Sequence, residues 1–456
     1  MKLRLYITPL TFFILHEVSV SQWVTEINFP TNYNLEYVNV VDSAIAWAIG
    51  RYSGFQDSSI LLIRTNKSPW FQHYLQIANN NDFTCVAAHD SDKIWVGTAD
   101  GKVYYHSYNN NQTELQIDIG GQAYINDIKF SRLNKNYGYV YSDPPSGPGT
   151  PFKIYKTTNA GVNWIELSPV FGGSYIGAYA SMCVTDSNHV WLGLNCQPSF
   201  CQVPKVAYTT DGGFTWQMSS IPNGSNYVSA VTFKYDNSYG IVAPWDQVPT
   251  YLFRSLNGGN SWSFLYNTQL LRPVNSLCWA SGTSTWYICN DEEFDQILKS
   301  TNDGLNWSVM TVPSGSDQVK SMDIIRQGNK AYGIAVTLNG RILRLVDSVS
   351  VIGIKSNNSE IPKEFSLSQN YPNPFNPVTK IRFDIPAVET HSNASLQVYN
   401  ALGIEVETLV NEELHPGTYE VNWNASSFPS GVYFYTLNTG DPSAPLRITK
   451  KMILVK

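Results

Sequence analysis

Thr209-Thr210-Asp211-Gly212-Gly213-Phe214-Thr215-Trp216 decides how this chain is read. Its pattern is Ser/Thr, any residue, Asp/Asn, any residue, Gly, two residues, Trp. The same octad stands at Thr157 to Trp164, Ser255 to Trp262 and Ser300 to Trp307. The starts lie about 45 to 52 residues apart, the length of one four-stranded propeller blade. An Asx side chain accepts N–H groups of its own turn, and Gly at the fifth position tolerates positive φ. The closing Trp packs the turn on its blade. The octad is therefore a folding device. Its members are Asn159, Gly161 and Trp164; Asp211, Gly213 and Trp216; Asn257, Gly259 and Trp262; and Asn302, Gly304 and Trp307.

Outward from the octads, other columns raise the repeat count to seven. An aromatic opens each second strand: Trp47, Trp95, Tyr137, Trp191, Tyr239, Trp286 and Tyr332. An apolar residue precedes each in the first strand: Val38, Cys85, Ile128, Met182, Val231, Leu277 and Met322. The seventh unit stops near Val346 after three strands. The run Trp23-Val24-Thr25-Glu26-Ile27-Asn28-Phe29 reads like the missing fourth strand. Pairing it with Arg341 to Leu345 would close the ring and remove a sheet edge. The expected fold class is all-β: a seven-bladed β-propeller over 22–348, followed by an immunoglobulin-like β-sandwich.

The octad resembles the Asp-box (BNR) repeat of sialidases, sortilin-like receptors and photosystem-assembly-factor propellers. The resemblance places the boxes between third and fourth strands, away from the ligand face. This chain departs from the pattern in having Asn at three of four Asx positions; only Asp211 is Asp. The arginine triad of a sialidase is not evident.

Residues 1–21 read as a signal peptide: Lys2 and Arg4, then a short apolar run from Leu5 to Leu15, then Ser19-Val20-Ser21. That run is too short to span a bilayer, and no transmembrane helix is expected elsewhere. A linker is expected at 349–360 and a second domain at 361–456, with short strands and turns such as Asn400-Ala401-Leu402-Gly403. Four stretches carry a second resemblance. They are Gln369-Asn370-Tyr371-Pro372-Asn373-Pro374-Phe375-Asn376-Pro377, Val398-Tyr399-Asn400-Ala401-Leu402-Gly403, Pro429-Ser430-Gly431-Val432-Tyr433-Phe434-Tyr435, and Lys450-Lys451-Met452-Ile453-Leu454-Val455-Lys456. They resemble the C-terminal sorting domain of the type IX (Por) secretion system, also described as FlgD-Ig-like. The resemblance implies the type IX secretion machinery as a partner of 361–456, and a location outside the cell or on its surface, reached through the periplasm.

Composition narrows the function classes. Of 456 residues, 14 % are charged and 43 % hydrophobic, with 13 Trp and 28 Tyr, which suits a folded β protein. A net charge of −6 without a basic cluster argues against nucleic acid. The six Cys have no zinc spacing, and neither a metal nor a cofactor is expected. Cys196 and Cys201 are a candidate disulfide in one loop. Cys85, Cys183 and Cys278 fall on apolar strands and are expected to be buried; Cys289 sits diagonally from Cys278.

Ligand contacts in a propeller come from the second-to-third-strand and between-blade connections at one mouth. Four of the former are distinctive: 142–149, 195–204, 243–247 and 290–295. They nominate Trp245, Asp246, Asp143 and Glu292; the between-blade loop adds Tyr175. An aromatic face beside carboxylates suits a sugar ring. Solvated loop acids are the plain alternative. Three function classes remain: a secreted recognition propeller for a glycan or protein ligand, a glycoside hydrolase or lyase, and an envelope assembly factor. Hydrolysis would need a carboxylate pair about 5 to 10 Å apart. The first class is the leading reading, so a binding protein is expected rather than an enzyme.

Overall fold

The computed structural model describes residues 23–349 and 362–456, except 31, 53–57, 67, 76, 78–81, 121–122, 147–149, 168–174, 197–204, 223–226, 246–249, 271, 291–295, 314–317, 363, 387–391, 415–416, 426–427 and 440–446. The expected signal peptide and nearly all of the expected linker fall outside this set.

Seven four-stranded antiparallel sheets follow one another as blades. Blade 1 holds Tyr33–Val40, Ala46–Tyr52, Ser58–Thr65 and Ser68–His73. Blade 2 holds Phe83–Ala88, Lys93–Thr98, Lys102–Ser107 and Gln112–Asp118. Blade 3 holds Ile125–Phe130, Gly138–Ser142, Ile154–Thr157 and Ile165–Leu167. Blade 4 holds Tyr175–Val184, Val190–Cys196, Lys205–Thr209 and Gln217–Ser220. Blade 5 holds Val228–Phe233, Gly240–Pro244, Tyr251–Ser255 and Ser263–Asn267. Blade 6 holds Val274–Trp279, Trp286–Asn290, Ile297–Ser300 and Ser308–Val309. Blade 7 holds Val319–Gln327, Lys330–Thr337 and Arg341–Ser348, and takes Val24–Asn28 as its outer strand. Val24 stands opposite Arg344 and Asn28 opposite Arg341 in that pairing. Glu26 fastens the closure to blade 1: it accepts the indole N–H of Trp70 at 3.1 Å and pairs with Arg64 at 2.9 Å.

First strands of neighbouring blades pack side by side around the axis. A side chain bonds backbone across each of the seven boundaries. Thr84 Oγ1 donates to the Ile125 carbonyl and Thr232 Oγ1 to the Leu277 carbonyl, both at 2.7 Å. The Phe233 N–H donates to the Cys183 thiol sulfur at 3.3 Å, and the Met322 N–H to Ser276 Oγ at 3.0 Å. Ala88 N–H reaches Asn39 Oδ1, Ser131 Oγ reaches the Thr185 carbonyl, and Val38 N–H reaches Ser321 Oγ. Small polar residues in otherwise apolar strands thus tie the inner ring.

The aromatic column bridges blades further out. Trp47, Trp95, Trp191 and Trp286 are fully buried. Trp47 Nε1 donates to the Asp90 carbonyl of blade 2, and Trp191 Nε1 to the Gly258 carbonyl of blade 5.

The octads lie between third and fourth strands and share one geometry. At the first position the hydroxyl oxygen accepts the N–H of the fifth: 2.9 Å for Gly161, Gly213 and Gly304, and 2.8 Å for Gly259. At the third position the Asx oxygen accepts the N–H of the seventh, at 2.9 to 3.0 Å. Positions four and five both have positive φ, even where position four is Ala160 (58°) or Asp303 (57°). The fifth-position Gly also faces the preceding blade. A Cβ on Gly161 would lie 2.5 Å from Trp95, and one on Gly213 would lie 2.5 Å from Leu167. The boxes are clasps between blades as well as turns.

The C-terminal domain is a sandwich of two sheets. One holds Ser366–Leu367, Val378–Ile385 and Gly417–Asn424. The other orders Glu405–Leu414, Ser392–Asn400, Gly431–Thr439 and Arg447–Leu454. The Asn-Tyr-Pro-Asn-Pro-Phe run clasps the last strand. Phe375 N–H donates to the Ile453 carbonyl at 3.0 Å, Val455 N–H returns to the Phe375 carbonyl, and Ile453 N–H reaches Asn373 Oδ1. Buried Asn370 gives its backbone N–H to Tyr435 Oη and its amide to Thr379 Oγ1.

Among the described residues Cys85, Cys278 and Cys289 are buried, and Cys183 is half-buried. The expected burial of Cys183 is therefore incomplete. Cys289 stands opposite Ser276, so it is diagonal to Cys278. The candidate bridge between Cys196 and Cys201 falls outside the described side chains.

Candidate functional site

The boxes and the first-to-second-strand turns occupy one face of the ring; the loop-bearing mouth occupies the other. At the mouth a backbone contact repeats. The residue after a second strand donates its N–H to the residue before the first strand of the same blade. Ala99 bonds Asp82, Asp143 bonds Tyr124, Trp245 bonds Tyr227 and Leu338 bonds Gln318, at 2.8 to 3.0 Å. Asp143 and Trp245 therefore hold equivalent rim positions, two blades apart.

The rim is uneven. Blades 2 and 7 cross from second to third strand by tight hairpins. Thr98 Oγ1 exchanges two bonds with the Lys102 backbone, and Thr337 Oγ1 does the same with Arg341. Gly101 and Gly340 supply the positive φ those hairpins need. Blades 3 to 6 carry the longer connections.

Trp245 is 41 % exposed and meets Tyr227 edge-on, ring centres 5.1 Å apart. An exposed indole held by a second aromatic is a ready flat apolar surface. Asp143 accepts the Asn126 amide at 2.8 Å, which holds its carboxylate at the rim. Asp246 and Glu292 fall outside the described residues. Tyr175 opens the inner strand of blade 4; its side chain falls outside them too.

Sequence reasoning missed the opposite arc. Arg51 on blade 1 pairs with Glu36 and with Asp82, both at 3.0 Å, and is 42 % exposed. Tyr124 joins this arc to Asp143; burial first, then the Glu36 charge, pushes its phenol up. Asn290, at the mouth end of blade 6, is fully buried, and neither amide atom has a hydrogen-bond partner among the described residues. A signal for part of this existed. Six of the seven inner strands are bulged by one residue near the start, between Leu35 and Tyr37 in blade 1 and between Ile125 and Asp127 in blade 3, for example. The extra residue is polar where an apolar one fits the pattern: Glu36, Thr84, Asn126, Ser229, Asn275 and Lys320. Bulges re-aim side chains.

Two crossings span the channel. Tyr37 Oη of blade 1 donates to Asp127 of blade 3 at 2.8 Å. Burial pushes the Asp127 carboxyl up, while Lys129 and the Tyr37 hydroxyl oppose that rise. Arg132 of blade 3 grips both Asp323 oxygens of blade 7 at 2.7 Å. The mouth thus offers an aromatic face, carboxylates, an amide and the Arg51 guanidinium, a set that can bond hydroxyl groups. Among the described residues no group of three His, Cys, Asp or Glu is placed to hold a metal ion. No helix of the described residues is long and apolar enough to cross a membrane.

Comparison with known proteins follows the same division. Residues 369–455 match the secretion system C-terminal sorting domain family. No characterised protein matches the chain in sequence. Solved structures resemble the propeller. One described as YCF48 bound to D1 peptide has a TM-score of 0.53 and 13 % identity, covering 73 % of this chain and 99 % of its own. YCF48 from Cyanidioschyzon merolae has 0.51 and 13 %, covering 71 % and 98 %. A structure of U3-55K has 0.52 and 6 %, covering 72 % and 98 %. At these identities the likeness is one of fold. The protein is a seven-bladed β-propeller carrying a secretion system C-terminal sorting domain, exported by the type IX route to the cell surface or the extracellular space.

Proposed function

We propose that this exported propeller recognises an extracellular glycan at its loop-bearing mouth and does not cleave it. The observation that carries the reading is Trp245, an exposed indole set edge-on to Tyr227 at the rim position equivalent to that of Asp143. Sugar rings stack on such faces, and Asp143, Asn126, Glu36 and Arg51 supply donors and acceptors for hydroxyls. Arg51 is already committed to two carboxylates, so neutral sugars suit this arc better than uronates or sulfated chains. Mature protein on a glycan array, with a reducing-sugar assay on every glycan bound, tests the proposal. Binding without released sugar is expected; release would favour the hydrolase class.

A second reading is a basic peptide ligand. It rests on the carboxylates Glu36 and Asp82 at the Arg51 guanidinium, with Asp143 held by Asn126 on the same rim. A propeller of this fold is described as bound to D1 peptide. A blank glycan array with capture of Lys/Arg-rich peptides from a peptide array would favour it.

A further inference from the structure

Strand polarity fixes which face the sorting domain leaves from. In every blade the third strand runs from the mouth to the box face. Blade 7 obeys the same rule: the hairpin at Thr337 to Gly340 starts its third strand, Arg341–Ser348, at the mouth. The other end is pinned at the opposite face, where the Val349 N–H donates to the Asn329 carbonyl at 2.9 Å, in the turn between first and second strands. Val349 is itself buried, packed with Trp23 and Met310 in one cluster. The N-terminal strand enters from this face too: Val24 pairs far from the hairpin, whereas the Phe29 N–H reaches the Gly340 carbonyl at the mouth.

We infer that the box face is the side this protein turns toward its export machinery, and that the mouth is turned away. A bulky ligand can then occupy the mouth while the sorting domain is engaged. The reach of the chain decides between this and a domain folded back over the mouth. Residues 350–361 connect Val349 to the sandwich. A segment of that length spans about 40 Å at full extension and about 20 Å as a coil. The third strand alone is about 26 Å long, and the path to the mouth adds the rim to that. Covering the mouth would need nearly full extension; lying on the box-face side needs none. The inference holds whatever the mouth binds.

The test is a distance measurement on the purified full chain. A fluorophore pair joins Leu402→Cys, in an exposed turn of the sandwich, to either Asn339→Cys at the mouth of blade 7 or Leu305→Cys in the box of blade 6. The unsubstituted chain serves as the labelling blank. The mouth label sits on the blade that carries the linker, so lateral distance works against the inference. Energy transfer should nevertheless be higher for the box label, with mean distances differing by about one strand length, ~20 Å. Equal transfer, or more from the mouth label, would overturn it. Ala99→Cys at the mouth and Phe214→Cys in a box, the latter 86 % exposed, repeat the comparison if either first variant fails to fold.

Discussion

Asp211 is the one carboxylate among four otherwise equivalent box positions, and that sets a test at the level of a single side chain. Burial, the largest single influence, pushes its carboxyl up. The Thr215 hydroxyl and N–H and the Thr209 hydroxyl outweigh that and hold it at about 2. A depressed carboxyl stabilises the fold above its unfolded value, near 4, and that contribution fades as pH falls through about 2. Asn performs the same bonding in the other three boxes. Asp211→Asn should therefore keep the melting temperature at pH 7 and lose this acid sensitivity. Asp211→Ala should cost about 1–3 kcal/mol, read by thermal melts. A second single-residue test lies between blades 1 and 2, where His73 Nε2 and His106 Nε2 face each other at 2.8 Å. Burial pulls both rings down, His106 to about 4, with His73 adding to the fall. The unfolded chain binds more protons between about 4 and 6.5, so stability should rise with pH across that window. In His73→Gln the drop in melting temperature from pH 7 to pH 5 should shrink, though not vanish, because His89 is also held near 4. An unchanged drop would show that the pair does not set it.

At the scale of the element, the box is legible in the sequence and its purpose is only half so. Spacing reveals the turn, the Asx acceptor and the Gly. Position four and the neighbouring blade are invisible there, because the octad does not say what Gly161 faces. The structure predicts opposite signs for adjacent substitutions. Ala160→Gly relieves a left-handed Ala and should stabilise by about 0.5–1 kcal/mol. Gly161→Ala must fit a methyl against Trp95 at 2.5 Å with φ at 77°, and should destabilise by about 2 kcal/mol or more. Denaturant midpoints of the two variants settle it. The mouth was less readable than the strands. Trp245 and Asp143 stand out because bulky and charged residues interrupt loop composition. The Arg51–Glu36–Asp82 arc does not, since Arg51 sits inside an apolar strand and meets partners from two other segments. Such long-range pairings follow from ring geometry, not from local pattern.

For the whole molecule, closure and export are separable. The ring depends on Val24–Asn28 filling blade 7; buried Trp23, and Trp70 and Arg64 at Glu26, hold that strand. Removing 361–456 leaves every blade intact, so the truncated propeller should fold with an unchanged melt yet remain in the periplasm on fractionation. Its appearance outside the cell would contradict the sorting role of that domain. The recognition claim meets its most direct test in one paired measurement: glycan-array profiles of the mature chain and of Trp245→Ala at matched concentration and stability. The account predicts that glycans bound by the parent lose more than tenfold in affinity, about 1.4 kcal/mol, in the variant, with no shift in melting temperature. Identical profiles for the two proteins would contradict it.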